Sequence, residues 1–416
     1  MQGTSFPGLE LPEPPLTHTK GGSSRVADNN LDSLFPRLGR FPDVEAANLQ
    51  AWDATDKLLL DTAADMLAAG SLHPGSKLAI VGDRYGALTL GALALDAPAA
   101  GSWNGPVRVH QDLITGEQAL RQNAGKMGVT GGFEHHPAGA GLLAGANVVL
   151  LQLPKSLAEL EEIADAVARH AASDVVLLAG GRVKHMSLGM NSVLERYFSE
   201  VQPQLARQKS RILLARGPRP VPGTPPFPVR DFNNELGLTV CARGAVFAGT
   251  GLDIGTRFLL EFLPRIPAAR HAVDLGCGTG ILAAMYARGN PGSRVTATDQ
   301  SAAAVDSARA TAEANGLTDQ ITVLQDDAMG TLPAGSAELI LLNPPFHVGA
   351  AVHAGAGIKL IEAAGRVLAP GGELWTVFNS HLHYQPALQR LIGPTREVGR
   401  NPKFTVTAST RKSADV

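Results

Sequence analysis

The sequence predicts an α/β protein built as two tandem copies of one plan, each a parallel sheet covered by helices on both faces. Three observations point there. From about residue 31 onward, short continuous Val/Leu/Ile runs alternate with segments of helical period, the pattern of parallel strands buried on both sides. The chain has 416 residues, more than one ordinary core holds, since domains run to roughly 100–200 residues. A Pro-rich segment, Gly217–Val229, splits the elements near mid-chain. Its six prolines (GPRPVPGTPPFPV) exclude a regular helix or a central strand. The expected organisation is a disordered extension over 1–30, a first domain over 31–215, a connector over 216–232 and a second domain over 233–416.

The elements follow in order. Asn48–Ala69 spaces its apolar residues helically. Lys77–Asp83 (KLAIVGD) is a buried strand ending at a turn, followed by a helix over Leu88–Leu95. Pro106–Asp112 is the second strand and Gly116–Asn123 the second helix. Asn147–Pro154 and Asp174–Gly180 are further buried strands, with a long helix over Ser156–His170 between them. The second half opens with a helix over Gly255–Leu263, the strand His271–Gly276 and a helix over Ile281–Arg288. Next come the strand Ser293–Asp299, a helix over Ala302–Asn315, and the strands Ile321–Asp327 and Ala337–Asn343. A helix over Ile358–Leu368 and the strands Gly372–Phe378 and Lys403–Ser409 complete it.

Composition bounds the partners. A net charge of -2 and a pI near 6.6 neither demand nor exclude a polyanion, because phosphate binding needs only a local basic surface. Val201–Arg230 has no acid but holds Arg207, Lys209, Arg211, Arg216, Arg219 and Arg230. That run suits an RNA-facing stripe or a solvated connector. Cys241 and Cys277 have neither metal-site nor disulfide spacing, so no metal is expected and free thiols fit a reducing cytoplasm. No apolar run approaches the ~20 residues of a membrane span. The first residues lack the basic start and apolar stretch of a secretory signal. A cytoplasmic protein with no membrane partner is expected.

The cofactor constellation begins at VDLGCGTG (Val273–Gly280). Asp274 lies at a strand end, and Gly276, Gly278 and Gly280 let the backbone turn sharply and present bare N–H groups at a helix start. The spacing is tighter than a dinucleotide fingerprint. Asp299 ends the next strand, where a carboxylate accepts from both ribose hydroxyls of a nucleoside cofactor. Asp326–Asp327 follow the third strand, where a carboxylate accepts from an adenine amino group. Each acid alone is ordinary turn chemistry; the three in this order define a nucleoside-cofactor site.

The fourth strand ends in LLNPPF (Leu341–Phe346). Pro344 and Pro345 make a rigid extended exit without backbone donors. Asn343 is thereby held at the carboxyl edge of the sheet, where α/β proteins bind ligands. Such a site suits methylation of a planar –NH2, whose delocalised lone pair makes it a poor nucleophile. The Asn343 side-chain oxygen and a backbone carbonyl, that of Pro344, accept its two N–H bonds and favour a pyramidal nitrogen. Positioning and electrostatics then carry the rate without a strong base. Phe346 offers a flat face for stacking.

With DLGCGTG, the Asp299 strand end and NPPF in place, the chain resembles the class I methyltransferases of the small-domain type. Within these it is most similar to bacterial ribosomal RNA guanine-N2 methyltransferases, first the large-subunit (23S) branch and then the small-subunit (16S) branch. Phe41–Leu60, Leu153–Glu161, Gly251–Pro264, Asn343–His347, Gly371–Tyr384 and Asn401–Val406 carry the likeness, which spans roughly residues 31–410. The resemblance implies two tandem Rossmann-like methyltransferase domains, the first degenerate and suited to RNA positioning. It also implies S-adenosylmethionine as cofactor and a ribosomal guanine, unstacked or flipped, as acceptor. Residue comparison agrees with degeneracy. Ile80 stands for Asp274 and Arg84 for Gly278, and Gln152, Leu153 and Lys155 stand for Asn343, Pro344 and Phe346.

The expected catalytic residues are therefore Asn343, Pro344, Pro345 and Phe346. The expected cofactor residues are Asp274, Gly276, Gly278, Gly280, Asp299, Asp327 and Asn343. Gly251, Asp253 and Thr256 are expected to close over cofactor or substrate. Small-subunit rRNA, a protein glutamine amide, and a non-catalytic RNA-binding assembly role are the competing readings.

Overall fold

In a computed structural model, described over residues 31–46, 48–96, 103–344 and 350–412, the chain forms two seven-stranded sheets and a two-stranded hairpin. The extension expected over 1–30 lies outside the described residues. The first sheet contains β1 (Leu78–Val81), β2 (Val107–His110), β3 (Phe133–His135), β4 (Val148–Gln152), β5 (Val176–Arg182), β6 (Phe198–Pro203) and β7 (Ser210–Pro218). Its order is β3-β2-β1-β4-β5-β7-β6. The hairpin is β8 (Val229–Asn233) with β9 (Leu238–Ala242). The second sheet contains β10 (His271–Leu275), β11 (Arg294–Asp299), β12 (Ile321–Gln325), β13 (Ala337–Leu342), β14 (Leu368–Asn379), β15 (Thr395–Arg400) and β16 (Phe404–Thr410). Its order, β12-β11-β10-β13-β14-β16-β15, repeats the first.

Five strands of each sheet run parallel, but β7 and β6, like β16 and β15, are antiparallel. The parallel sheets read from the Val/Leu runs thus each carry an antiparallel edge. Strand β6 buries little of its length, and β15 none of it fully, so neither shows the continuous apolar run that marks a central strand. The connector also shrinks. Strand β7 runs to Pro218 and β8 starts at Val229, so both ends of the 216–232 segment are strand. The six basic residues of Val201–Arg230 are dispersed over the β6–β7 turn, β7, its exit and β8.

Local chemistry sets the helix limits. The first long helix starts at Ala54, not near Asn48, because Asp53 and Asp56 form a capping box. The helix Ala350–Val367 begins well before Ile358. Gly355 and Gly357 disfavour helix by about 1 kcal/mol each, and packing of Ile361, Ala364 and Val367 against the sheet overrides them.

Strand register fixes which residues of the two copies correspond. Ile80 pairs with Val109 and Leu150; Asp274 pairs with Ala297 and Leu341. Counting on two residues matches Gln111 with Asp299 and Gln152 with Asn343. The first pair was not apparent from sequence. In both copies the cleft forms at the carboxyl ends of the central strands.

Candidate active site

The Gly-rich turn follows β10. Gly276 and Gly278 take φ of 74° and 52°, left-handed backbone that a side chain disfavours. A Cβ on either would meet nothing within 4 Å, so the turn faces open space. Gly276 and Cys277 N–H groups donate to the Thr298 carbonyl at 2.8 and 3.0 Å, tying the turn to β11. The cleft above it encloses about 560 Å³. Gly276, Gly278, Asp299, Asp327, Asn343 and Pro344 line it, with Asp112, Leu113 and Thr115 from the first copy.

The acids divide by task. Asp299 accepts from Gly278 N at 3.0 Å and Ser301 N at 3.0 Å. Burial pushes its pKa up, and these N–H bonds oppose the rise. Asp274 lies beneath the turn instead of on the cleft wall. It is fully buried, and its Oδ2 accepts from Ala283 N at 2.9 Å at the start of the helix Ile281–Gly289. Burial raises it to about 7. Asp326 is committed to Thr331, accepting from its N–H at 3.0 Å and its hydroxyl at 2.6 Å. Asp327 faces the cleft, paired with Lys359 Nζ at 2.6 and 2.8 Å. Lys359 carries no sequence signal, because only the helix Ala350–Val367 crossing the cleft brings it there.

Asn343 leaves β13 at the cleft edge. Its Nδ2 donates to Asp253 Oδ2 at 3.0 Å and to Thr256 Oγ1 at 2.8 Å. Its Oδ1 is buried and has no hydrogen-bond partner among the described residues. Gly251, Asp253 and Thr256 all line the cleft, as does Phe247, which is 61% exposed. In a chain with 5% aromatics, an aromatic in the small-residue run Gly244–Gly251 was the available signal for it. Pro345, Phe346 and His347 lie outside the described residues.

The corresponding strand ends of the first copy keep a cavity of about 510 Å³, lined by Gly82, Gln111 and Gln152, but the helix-start donors beside it are already taken. Asp83, in the place of Cys277, accepts from Gly86, Leu88 and Thr89 N–H groups at 3.0, 3.3 and 2.8 Å. Its carboxylate consumes the helix-start donors that a ligand would use. A Cβ on Gly82, the counterpart of Gly276, would meet Gln152 at 3.2 Å. Gln152 itself donates to Asp56 at 2.5 Å. Arg84 turns into a neighbouring pocket of about 390 Å³ with Lys155, Arg182, Lys184 and His185.

A doubly repeated Rossmann-like sheet with a Gly-rich turn and an Asn-Pro exit is the fold and site of a class I methyltransferase. Residues 237–408 match the family model "Methyltransferase small domain" and residues 28–219 match "RLMG N-terminal domain". "Ribosomal RNA large subunit methyltransferase G" of Streptomyces avermitilis is 35% identical over 396 residues, 90% of this chain and 97% of its own length. The protein of the same name from Pseudomonas aeruginosa (strain UCBPP-PA14) is 36% identical over 371 residues, 89% and 96% respectively. Among solved structures, the T. thermophilus 16S rRNA N2 G1207 methyltransferase, in complex with AdoMet and guanosine, aligns with a TM-score of 0.67. That match covers 86% of this chain and 92% of the other at 21% identity. The chain belongs to the ribosomal RNA large subunit methyltransferase G family and is a methyltransferase.

Proposed function

We propose that this protein transfers a methyl group from S-adenosylmethionine to the exocyclic N2 of a guanine in large-subunit (23S) rRNA, with the base unstacked or flipped beside Asn343. The observation that carries the reading is the buried Asn343 Oδ1, which has no partner among the described residues. A buried acceptor without a partner costs about 1–3 kcal/mol, and an amino N–H of the acceptor base would supply the missing donor. The cleft fits the cofactor too. Space is open over Gly276 and Gly278, Asp299 lines it, and Ile281, Leu282 and Leu360 give it apolar walls. Gly276, Gly278, Asp299 and Asp327 would hold S-adenosylmethionine, which supplies an electrophilic methyl group.

The chain's own residues then act by positioning. Asn343 Oδ1 and the Pro344 carbonyl accept the two N–H bonds of the target amine and turn its lone pair out of conjugation. Neither is a strong base; orientation and preorganised dipoles provide the acceleration. Phe346 and the exposed Phe247 offer faces on which a base stacks. Gly280 and Asp274 support the turn from behind.

The first domain, 31–215, positions the RNA, and the second, 233–416, does the chemistry. Arg84, Lys155, Arg182 and Lys184 support that division. None of the four forms an ion pair among the described residues, and all line one pocket. Partial desolvation, then the fields of these cations, lower the His185 pKa. Asp53, also on the pocket wall, is engaged in capping at Thr55 N, 2.6 Å away.

The test offers labelled S-adenosylmethionine with deproteinised 23S RNA, 16S RNA or a termination-factor protein, followed by nucleoside analysis. N2-methylguanosine in 23S RNA is expected, with Asn343→Ala losing turnover by at least about 100-fold at nearly unchanged cofactor affinity. Label on 16S RNA or on protein glutamine would transfer the assignment to that substrate. No transfer to any of the three would overturn the enzymatic reading of the site.

A further inference from the structure

We propose that Asp253 and Thr256 are positioning residues that set which way the Asn343 amide points, and so decide which end of it meets the acceptor. This rests on the Asn343 reading above. A side-chain amide carries a two-proton donor and an acceptor on one flat fork of nearly symmetric shape. Packing alone does not distinguish its two orientations; the hydrogen-bond partners must.

The partners here are unequivocal. An ionised carboxylate can only accept, so the arm of Asn343 that lies 3.0 Å from Asp253 Oδ2 is the NH2. Thr256 Oγ1 takes the same nitrogen at 2.8 Å. Both N–H bonds of Asn343 are thus engaged, and Oδ1 is the arm left without a partner among the described residues. In the reversed orientation Oδ1 would oppose the Asp253 carboxylate, acceptor against acceptor. The NH2 would then meet the N–H bonds of the target amine, donor against donor.

Asp253 is itself fixed by the chain. The oxygen that holds Asn343 also accepts from Gly255 N at 2.9 Å and Thr256 N at 3.1 Å. It therefore caps the helix Ile254–Leu260, in which Thr256 occupies the first turn. One helix start presents both acceptors, and the β13 exit presents the amide to them. The contact joins residues 90 positions apart.

The test separates orientation from folding. Asp253→Ser keeps a capping side chain but withdraws the carboxylate from Asn343. Thr256→Val keeps the shape and removes the oxygen, and Thr256→Ser restores it. At saturating RNA and cofactor, kcat should fall at least tenfold in Asp253→Ser and several-fold in Thr256→Val, because small misplacements near reacting atoms cost up to ~10²-fold. Thr256→Ser should recover most of the loss. Cofactor Kd and melting temperature should stay near wild type in the Thr256 variants. If Asn343→Ala is inactive while Asp253→Ser and Thr256→Val keep full kcat, the orientation role is wrong and the Asn343 reading stands. If Asn343→Ala retains turnover, the Asn343 reading itself fails.

Discussion

Leu113 and Ser301 face each other in a single antiparallel bridge, and strand register makes them the same residue of the two repeats. Ile114 N donates to the Gln300 carbonyl at 2.9 Å, and Ala302 N donates to the Asp112 carbonyl at 2.7 Å. The two copies therefore meet through equivalent segments about a local two-fold. The symmetry ends at the side chains. Asp112 Oδ1 accepts from Ala303 N at 2.9 Å, adding a carboxylate from the first copy to the start of the helix Ala302–Ala314. Asp299, two residues before Ser301, lies against this joint.

Removing that carboxylate should be felt on both sides. Asp112→Ala withdraws a helix-start acceptor, a loss of about 0.5–2 kcal/mol. Urea unfolding should register it, and calorimetry should show cofactor affinity a few-fold weaker. Unchanged stability and affinity would mean that the joint does not support the cofactor cleft.

The basic pocket of the first copy should grip phosphate. Lys155→Ala with Lys184→Ala should weaken RNA binding and raise KM for RNA while leaving cofactor Kd unchanged. The slope of log affinity against log salt should shrink by about 0.7–0.9 for each phosphate no longer neutralised. An identical slope in wild type and variant would remove this pocket from the RNA path.

One cofactor should bind per chain. Asp83 occupies the helix-start donors of the first copy, Gln152 covers Gly82, and Gln111 stands in the place of Asp299. Titration calorimetry should give a stoichiometry near one, unchanged in Arg84→Gly, because Arg84 is not the main obstruction. A second binding event in the wild type would contradict this loss of the ligand-binding groups.

Burial raises Asp274 from 3.8 to about 7. The folded state therefore holds this proton more tightly than the unfolded chain does. Its contribution to stability is complete below pH 3.8 and is lost as pH rises through about 7. Asp274→Asn keeps an oxygen for Ala283 N and carries no charge. Its unfolding free energy relative to wild type should improve from pH 5 to about 7 and level off above that in urea melts. A pH-independent difference would show that Asp274 ionisation is not being resisted.

Much of this was legible in sequence because the signals are local. Val/Leu runs mark β1, β4, β10 and β13, buried on both faces, and alternating glycines mark a turn that needs left-handed backbone. NPP marks a strand exit with no backbone donor. Strands β6 and β15 were missed because edge strands carry no continuous apolar run, and the start of the helix Ala350–Val367 because Gly355 and Gly357 argue locally against it.

The sequence by itself determined the two-copy α/β plan, the degeneracy of the first copy, and the residues at the cleft edge. Only the tertiary structure decided what each of those residues does. It placed Asp274 under the turn and Asp299 on the cleft wall, joined Lys359 to Asp327, and set Asp253 and Thr256 against Asn343. The physical reason is that a hydrogen bond depends on distance in space. The groups that orient Asn343 are brought within 3.0 Å by sheet and helix packing across 90 and 87 residues of chain, and no local pattern encodes that approach.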